Sequence, residues 1–526
     1  MNDLTPADRE RLAALAQVSA RRTVGNALFN YGGAVGTLLL GLFIQAYLVR
    51  SLGRDQYALW PVINSATAFA ALVPRGVGAG VSRFLAHALG DGDTAAIERI
   101  TTSVFTALAG AATLYALVIL GLSVSFESVF DIPAGTEGIG PWAMLLAGLS
   151  GAVVVPAGVY RGGLMAAQQF RTINAIRVGV FAVRVGLIVL AFEVDRPHLI
   201  WVGAAFLAMG IGEAASIVIT ARRVLPWQRL RRAALDRETL KKVTGFSAWV
   251  LLSTVAGLLY WHTDNLIINK LMDPGLVTGY AIVASLAVNA YQFVVLGARA
   301  LAPAMTIMHA RGEIDRMYRA VVRANRAVLP LGLMPVLVAV VFGEEILALY
   351  VGEAYREYGP LFWLTGGAWL LCSTNQVSNA VPEAFGQMRL ASVAAFVAAW
   401  VNVGLSLLFV LVFDWGLMGV AGGTFATWIL YKLVFWTWLV AKMLRVPIAR
   451  FVVQTALWPL AMTLPGLAVL VAARLWGLSE GLWGLMAVTA VAGVVQGVVA
   501  VTVGLDPADR AAVRRRVARL TGRGAS

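Results

Sequence analysis

The sequence predicts an all-α integral membrane protein of about fourteen transmembrane helices, arranged as two six-helix lobes in parallel pseudo-two-fold repeat with an added C-terminal pair. Three observations predict it: an apolar, glycine-rich composition, regularly spaced apolar runs, and a one-sided distribution of basic residues. Of the 526 residues, 59% are hydrophobic, 13% are charged and 53 are glycine. A soluble domain carries roughly 25% charged residues and about 7% glycine. Small residues at this density let helix backbones approach closely in lipid, where hydrophobicity cannot drive association.

A bilayer core needs about 20 apolar residues per helix. Such runs fall near 24–49, 57–82, 100–122, 141–163, 173–192 and 199–221, and again near 246–269, 277–302, 327–350, 360–382, 390–413, 417–441, 452–473 and 482–504. Trp60, Trp142, Trp201, Trp415, Trp476 and Trp483 stand at their ends, as an interfacial aromatic belt requires. The predicted organisation is a cytoplasmic amphipathic segment at 1–23, an N-lobe at 24–222 and a basic linker at 223–245. A C-lobe at 246–441, the extra pair at 452–504 and a basic tail at 505–526 follow. Thr5-Pro6-Ala7-Asp8 reads as the capped start of a short surface helix, with proline at the first position and an acid at the third. No cleavable signal is evident, because no apolar stretch precedes a small-residue cleavage site.

Charge sets the sidedness. With both termini cytoplasmic, 32 of the 42 Lys and Arg fall on the cytoplasmic side, 6 outside and 4 within spans. Residues 222–242 hold eight of them, whereas the external loop at 123–140 holds Glu127, Asp131 and Glu137 and no base. This is a strong positive-inside pattern. It orients a multi-pass protein with both termini cytoplasmic and explains the net charge of +14 as topology and attraction to anionic membrane lipids. A nucleic-acid footprint needs a folded basic surface, and no soluble domain is left to carry one. The longest external loop is under about 20 residues, too short for a core. No nucleophile–base set or paired carboxylate appears, so an enzyme is not expected. The lone Cys372 and four dispersed histidines offer no metal-ligand spacing, and no cofactor is called for.

An internal repeat points to transport. The second helix of the first half carries Tyr57-Ala58, Arg75 and His87-Ala88-Leu89-Gly90. Its counterpart carries Tyr280-Ala281, Arg299 and His309-Ala310-Arg311-Gly312. The offsets are 223, 224 and 222. Two six-helix units that begin on the same side are parallel repeats, between which transporters place substrate.

Leu52-Gly53-x-x-x-Tyr57-Ala58-Leu59-Trp60, then Gly76-x-Gly78 and Arg83-Phe84-x-Ala86, resemble the bacterial polysaccharide and O-antigen lipid flippases. So do Leu235-Asp236-Arg237-Glu238-Thr239-Leu240-Lys241 leading into Phe246-Ser247, Asp264-Asn265-Leu266-Ile267-Ile268, and Gly279-Tyr280. The resemblance covers roughly residues 24–440. It implies a V-shaped two-lobe member of the multidrug/oligosaccharidyl-lipid/polysaccharide exporter superfamily. The implied activity is flipping of an undecaprenyl-pyrophosphate-linked oligosaccharide to the outer leaflet by alternating access, alongside a polysaccharide polymerase and glycosyltransferases. Two departures stand out. Many relatives carry an acid where this chain has Pro74-Arg75, and the pair at 452–504 resembles the lipid II flippases, where it helps form a groove for the lipid tail.

Such a cargo needs cations for its pyrophosphate, because an isolated charge in hydrocarbon is prohibitively costly and the arginine fork matches phosphate oxygens. Arg75 and Arg299 occupy matching places in the two halves, and headgroup snorkelling is their alternative role. Arg184, mid-span, costs roughly 2.5–3.5 kcal/mol on insertion scales, and pairing with Glu213 at similar depth is the expected compensation; a cavity or proton-relay role is the alternative. Lys432 is a further in-span cation. His262 and Asp264 form a pair that can carry a coupling proton or sodium, or anchor the helix at the interface. Asn375, Gln376 and Asn379, with Asn30, Asn64 and Asn289 as weaker members, suit a sugar-lining surface, and equally suit interhelical hydrogen bonding. Two other functions compete: a cation-coupled multidrug exporter of the same superfamily, which would want buried carboxylates, and a non-transporting membrane scaffold of a polysaccharide-assembly complex.

The topology is directly testable. Reporters fused after Ser526 and within 226–240 are expected to be cytoplasmic, and one within 128–138 external. An external C-terminus would require an odd number of helices and contradict the repeat.

Overall fold

The computed structural model describes residues 20–72, 74, 80–245, 248–298, 301–504 and 510. The N-terminal surface helix expected from Thr5, Arg75, Arg299 and nearly all of the basic tail lie outside them, as does the side chain of Asn30. The described chain is helical throughout, with no strand among the described residues. Eleven of its helices are long and apolar enough to cross a membrane.

The first of these, α1 (Ala20–Ala70), runs for 51 residues. At 1.5 Å per residue that is about 76 Å, over twice the ~30 Å hydrocarbon core. Gly53 breaks it, with φ 76° and ψ 175°, a conformation open to glycine and strained for other residues. α1 therefore supplies two crossings, and the break falls at the expected external turn. The second crossing is extended by α2 (Val81–Gly90). Taking the two arms of α1 separately, and adding α8 (Ala248–Leu271) and the shorter α11 (Leu361–Thr374), gives the fourteen segments read from the sequence.

The chain divides into two compact units, Met1–Thr278 and Gly279–Ser526. In the first, α3 (Thr94–Val124), α4 (Ile139–Ala166), α5 (Phe170–Val194) and α6 (Leu199–Val224) follow α2. Glycines set the tightest packing: a Cβ on Gly203 would lie 2.9 Å from the Ala143 carbonyl oxygen, and one on Gly210 only 2.3 Å from Ser150 Oγ. That closeness lets Ser150 Oγ donate to the Phe206 carbonyl at 2.8 Å, satisfying a hydroxyl that lipid cannot. Trp60 departs from the belt expected of it. It is buried and packs edge-on against Phe206, centroids 4.9 Å apart. Trp142, Trp476 and Trp483, by contrast, are exposed at helix ends.

The polar interval after α6 is docked onto this unit. Gln228, fully buried, donates to the Val159 carbonyl at 2.9 Å. The Arg231 and Asp236 amides donate to Thr102 Oγ1 and Ser103 Oγ at 3.1 and 2.9 Å. Asp236 caps α7 (Arg237–Gly245), accepting from the Glu238 and Thr239 amides at 3.0 Å each. The Thr239 hydroxyl and those two amides hold its carboxyl below the usual range, so the cap stays ionised at neutral pH.

α8, at the head of the C-lobe expected from 246, falls within the first compact unit. Polar ties hold its far end there. Lys270 pairs with Asp131 at 3.0 Å, Asn269 donates to the Asp131 carbonyl at 2.7 Å, and Arg54 pairs with Asp273 at 2.8 Å.

In the second unit, α9 (Leu276–Ala298), α10 (Ile314–Gly332), α11, α12 (Met388–Leu411) and α13 (Gly416–Trp428) precede the added pair, α14 (Leu464–Leu475) and α15 (Gly481–Val499). α14 and α15 cover an apolar cluster of Leu337, Phe342, Leu470, Val488 and Ala492. Arg474 holds α14 in place, donating to the Val341 carbonyl and pairing with Glu344 at 3.2 Å. Outside these cores, large apolar side chains such as Leu120, Leu190, Leu411 and Val494 are exposed, the surface that lipid covers.

The glycine contacts give a direct test. Gly210→Leu is expected to lower stability by about 1–3 kcal/mol through overpacking. Gly110→Ala, whose added Cβ would meet nothing within 4 Å, should leave thermal unfolding in detergent unchanged. Equal melting of both variants would contradict the α4–α6 packing.

Candidate functional site

The second unit carries a buried polar network centred on Lys432. Its helix departs from α geometry there: residues Ile429–Trp436 form a π-helix. A π turn shifts the amide pattern to i+5 and frees a carbonyl, a distortion frequent at functional sites. The Lys432 carbonyl accepts from Asn375 Nδ2 at 3.0 Å and from Thr437 Oγ1, five residues on, at 3.1 Å. Asn375 is thus buried with its amide committed to closing the π turn.

Lys432 itself is 7% exposed. Its ammonium donates to Asn379 Oδ1 at 3.1 Å and lies 4.2, 5.1 and 5.9 Å from the ring centroids of Trp436, Tyr431 and Trp428. Ring faces attract a cation by up to about 2 kcal/mol when desolvated. Among the described residues no carboxylate pairs with it. The network continues outward from Asn379, whose amide donates to Gln376 Oε1 at 2.8 Å. The Tyr291 hydroxyl donates to the same oxygen at 2.5 Å, and Cys372 Sγ lies 3.4 Å from that hydroxyl. Tyr291 stacks on Trp369 at 4.6 Å. Lys432, Asn375, Gln376 and Asn379 are therefore brought together, while Asn289 sits half-buried on α9.

In the first unit Glu213 still attracts the Arg184 charge, as expected, but takes its direct bond from a different base. Glu213 is bonded to Arg161. The physical reason is the α4–α6 packing at Gly203 and Gly210. α4 approaches α6 more closely than α5 does, so the base on α4 reaches the carboxylate. Arg184 instead lies over Phe206 at 4.0 Å and Phe181 at 4.7 Å. A second polar group joins α8 to α1. His262 Nδ1 lies 3.3 Å from Ser65 Oγ, Asn265 donates to the same oxygen at 3.3 Å, and Asp264 is 8% exposed beside them. Asn64 donates back to the Trp60 carbonyl at 3.0 Å, a bond within its own helix.

Sequence reasoning missed Arg161, Tyr291 and the three rings around Lys432. The rings were visible as aromatics at i−4, i−1 and i+4 in Trp428-x-x-Tyr431-Lys432-x-x-x-Trp436. Arg161 gave no such signal, because it stands near the end of its apolar run.

Residues 24–309, just over half of the chain, match the family model described as "Polysaccharide biosynthesis protein". The chain belongs to this family. No curated protein matches it in sequence. Its fold is shared with solved transporters. The lipid II flippase MurJ in an inward closed conformation has a TM-score of 0.65 at 13% identity, covering 90% of this chain and 97% of that one. An inward-facing MATE multidrug resistance transporter of the MOP superfamily has a TM-score of 0.61 at 14% identity, covering 77% and 95%. The Vibrio cholerae MATE transporter VcmN in its bent form has a TM-score of 0.53 at 16% identity, covering 85% and 99%. This family member therefore has the multi-span all-α membrane fold of the MOP superfamily transporters.

The revised pairing predicts where coupling resides. A double-mutant cycle on Arg161→Ala and Glu213→Ala should return an interaction of about 0.5–3 kcal/mol in detergent melts. A larger coupling between Arg184 and Glu213 would restore the pair first expected.

Proposed function

We propose that the chain flips an undecaprenyl-pyrophosphate-linked oligosaccharide from the cytoplasmic to the outer leaflet of the bacterial inner membrane by alternating access, for cell-surface polysaccharide assembly. The observation that carries this reading is Lys432: a buried cation with no carboxylate partner among the described residues, in a polysaccharide biosynthesis family chain. An ammonium away from water without a counter-charge is costly and suits a site that meets an anion. Arg75 and Arg299, at matching places of the repeat, and Arg184, seated on aromatic faces, add further fixed positive charge for the pyrophosphate. Gln376, Asn379 and Tyr291 offer hydroxyl-matching groups next to Lys432. An inside-negative membrane potential drives an anion outward by about 2.3 kcal/mol per charge per 100 mV. Cations that stay in the protein preserve this drive, whereas cations travelling with the cargo would cancel it.

A second reading has its own observation. The buried Asp264, with His262 and Ser65, is a carboxylate site of the kind a cation-coupled multidrug exporter uses, and in a flippase the same group would bind the coupling ion. The two readings separate by substrate. Lys432→Ala, Arg75→Ala and Arg299→Ala are expected to accumulate lipid-linked oligosaccharide on the cytoplasmic leaflet while the protein level in membranes is unchanged. Lysine at 75 or 299 should rescue only partly, since it lacks the fork. Normal surface polysaccharide in all three variants, with drug resistance lost in Asp264→Asn, would transfer the assignment to the exporter.

A further inference from the structure

A second basic site lies away from Lys432, at one end of the second unit. Arg319, Arg323 and Arg326 recur on α10 at spacings of four and three, which puts them on one stripe of the helix. Opposite stand Arg450, from the short helix Ile448–Val452, and Gln454, from the π-helix Val453–Leu457 that follows it. These side chains and Tyr318 line a cleft of about 250 Å³ with no carboxylate in its walls among the described residues. At about 30 Å³ per water, it has room for about eight waters or for a phosphodiester headgroup.

The walls are built and not merely adjacent. Arg326 is bonded to Gln454 Oε1, and Arg450 lies 5.8 Å from the centroid of Tyr318. Behind them Asn325, fully buried, donates to the Thr374 and Thr455 carbonyls at 3.0 and 2.9 Å. The second of these closes the π turn and fixes the wall that carries Gln454. A Cβ on Gly504 would lie 3.0 Å from the Arg326 carbonyl oxygen, so the end of the last helix reaches the same place. Two polar atoms remain buried without a hydrogen-bond partner among the described residues: Arg326 Nε and the Tyr318 hydroxyl. The guanidiniums of Arg319, Arg326 and Arg450 crowd one small cleft, and an anion there lowers their mutual repulsion and offers acceptors to their N–H groups. One or two turns farther along the same three helices, Leu331, Leu457 and Val498 are exposed. A ligand with a phosphate head and an apolar tail fits both surfaces.

We infer that this arginine cleft binds the phosphate of a membrane lipid at the cytoplasmic leaflet, the leaflet being fixed by the charge-based topology. Two sources share the chemistry: an anionic phospholipid such as phosphatidylglycerol, and the pyrophosphate of the polyprenyl cargo. The cargo alternative rests on the flippase reading, whereas the phospholipid alternative does not.

Native mass spectrometry and thermal melts of the purified full chain test it, with phosphatidylglycerol, phosphate-free diacylglycerol and undecaprenyl pyrophosphate as probes. Wild type is expected to retain phosphatidylglycerol over diacylglycerol and to melt higher in its presence. The double variant Arg319→Gln/Arg450→Gln alters two exposed side chains and should melt as wild type without lipid. It should bind phosphatidylglycerol at least about tenfold more weakly. Arg319→Lys/Arg450→Lys should lose less, keeping charge without the fork. Displacement of phosphatidylglycerol by undecaprenyl pyrophosphate at lower concentration assigns the cleft to cargo, and its retention assigns it to bilayer lipid. Equal binding by wild type and the glutamine variant, or equal retention of diacylglycerol, would overturn the site. Because binding is read without transport, a failure here leaves the flippase reading standing, and a failed flipping assay leaves the cleft standing.

Discussion

A charge held within a bilayer must be surrounded by partners, and Lys432 shows what this chain builds to meet that constraint. Three aromatic faces and one amide oxygen hold the ammonium, and a π turn presents it. The turn in turn exposes a carbonyl, which Asn375 closes from α11. Remove Asn375 and a buried carbonyl loses its partner; remove Asn379 and the buried ammonium does, each a cost of several kcal/mol in lipid. The network is therefore as much a fold constraint on α11 and the helix after α13 as it is a site.

The same logic recurs where no function need be invoked. The π-helix at Val453–Leu457 is closed by Asn325 as the one at Ile429–Trp436 is closed by Asn375. Two buried asparagines thus tie four helices of the second unit through backbone carbonyls. In the first unit, glycines and serines do this work by close approach, and the docked linker adds Gln228 and the amides that bond Thr102 and Ser103 on α3. Cargo chemistry sits on a scaffold in which polar groups first satisfy each other.

What was legible in the sequence followed from composition and period. Apolar runs and the basic intervals gave the helices and their order, because lipid imposes length and backbone satisfaction on every crossing. Helix neighbours were less legible. Glu213 was paired with Arg184 on depth alone, and depth does not say which helix lies closer; the small faces at Gly203 and Gly210 decided for Arg161. Trp60 was read as an interfacial residue from its position at a run's end, yet its neighbour Phe206, 146 positions away in sequence, buries it. Lys432 was found as a lone base, but its π turn, the event that gives it Asn375, has no local sequence mark beyond the surrounding aromatics. The arginine stripe at 319, 323 and 326 was counted as topology, since its second wall at 450–454 comes from another helix.

The most direct measurement is translocation in proteoliposomes holding the purified chain and a polyprenyl-pyrophosphate oligosaccharide, with a potential imposed across the membrane. Net movement toward the positive side, rising with the size of the potential and lost with Lys432→Ala, is the expected result. Movement of a cationic drug in place of the lipid-linked anion, or lipid movement indifferent to Lys432, would contradict the fixed-cation flippase.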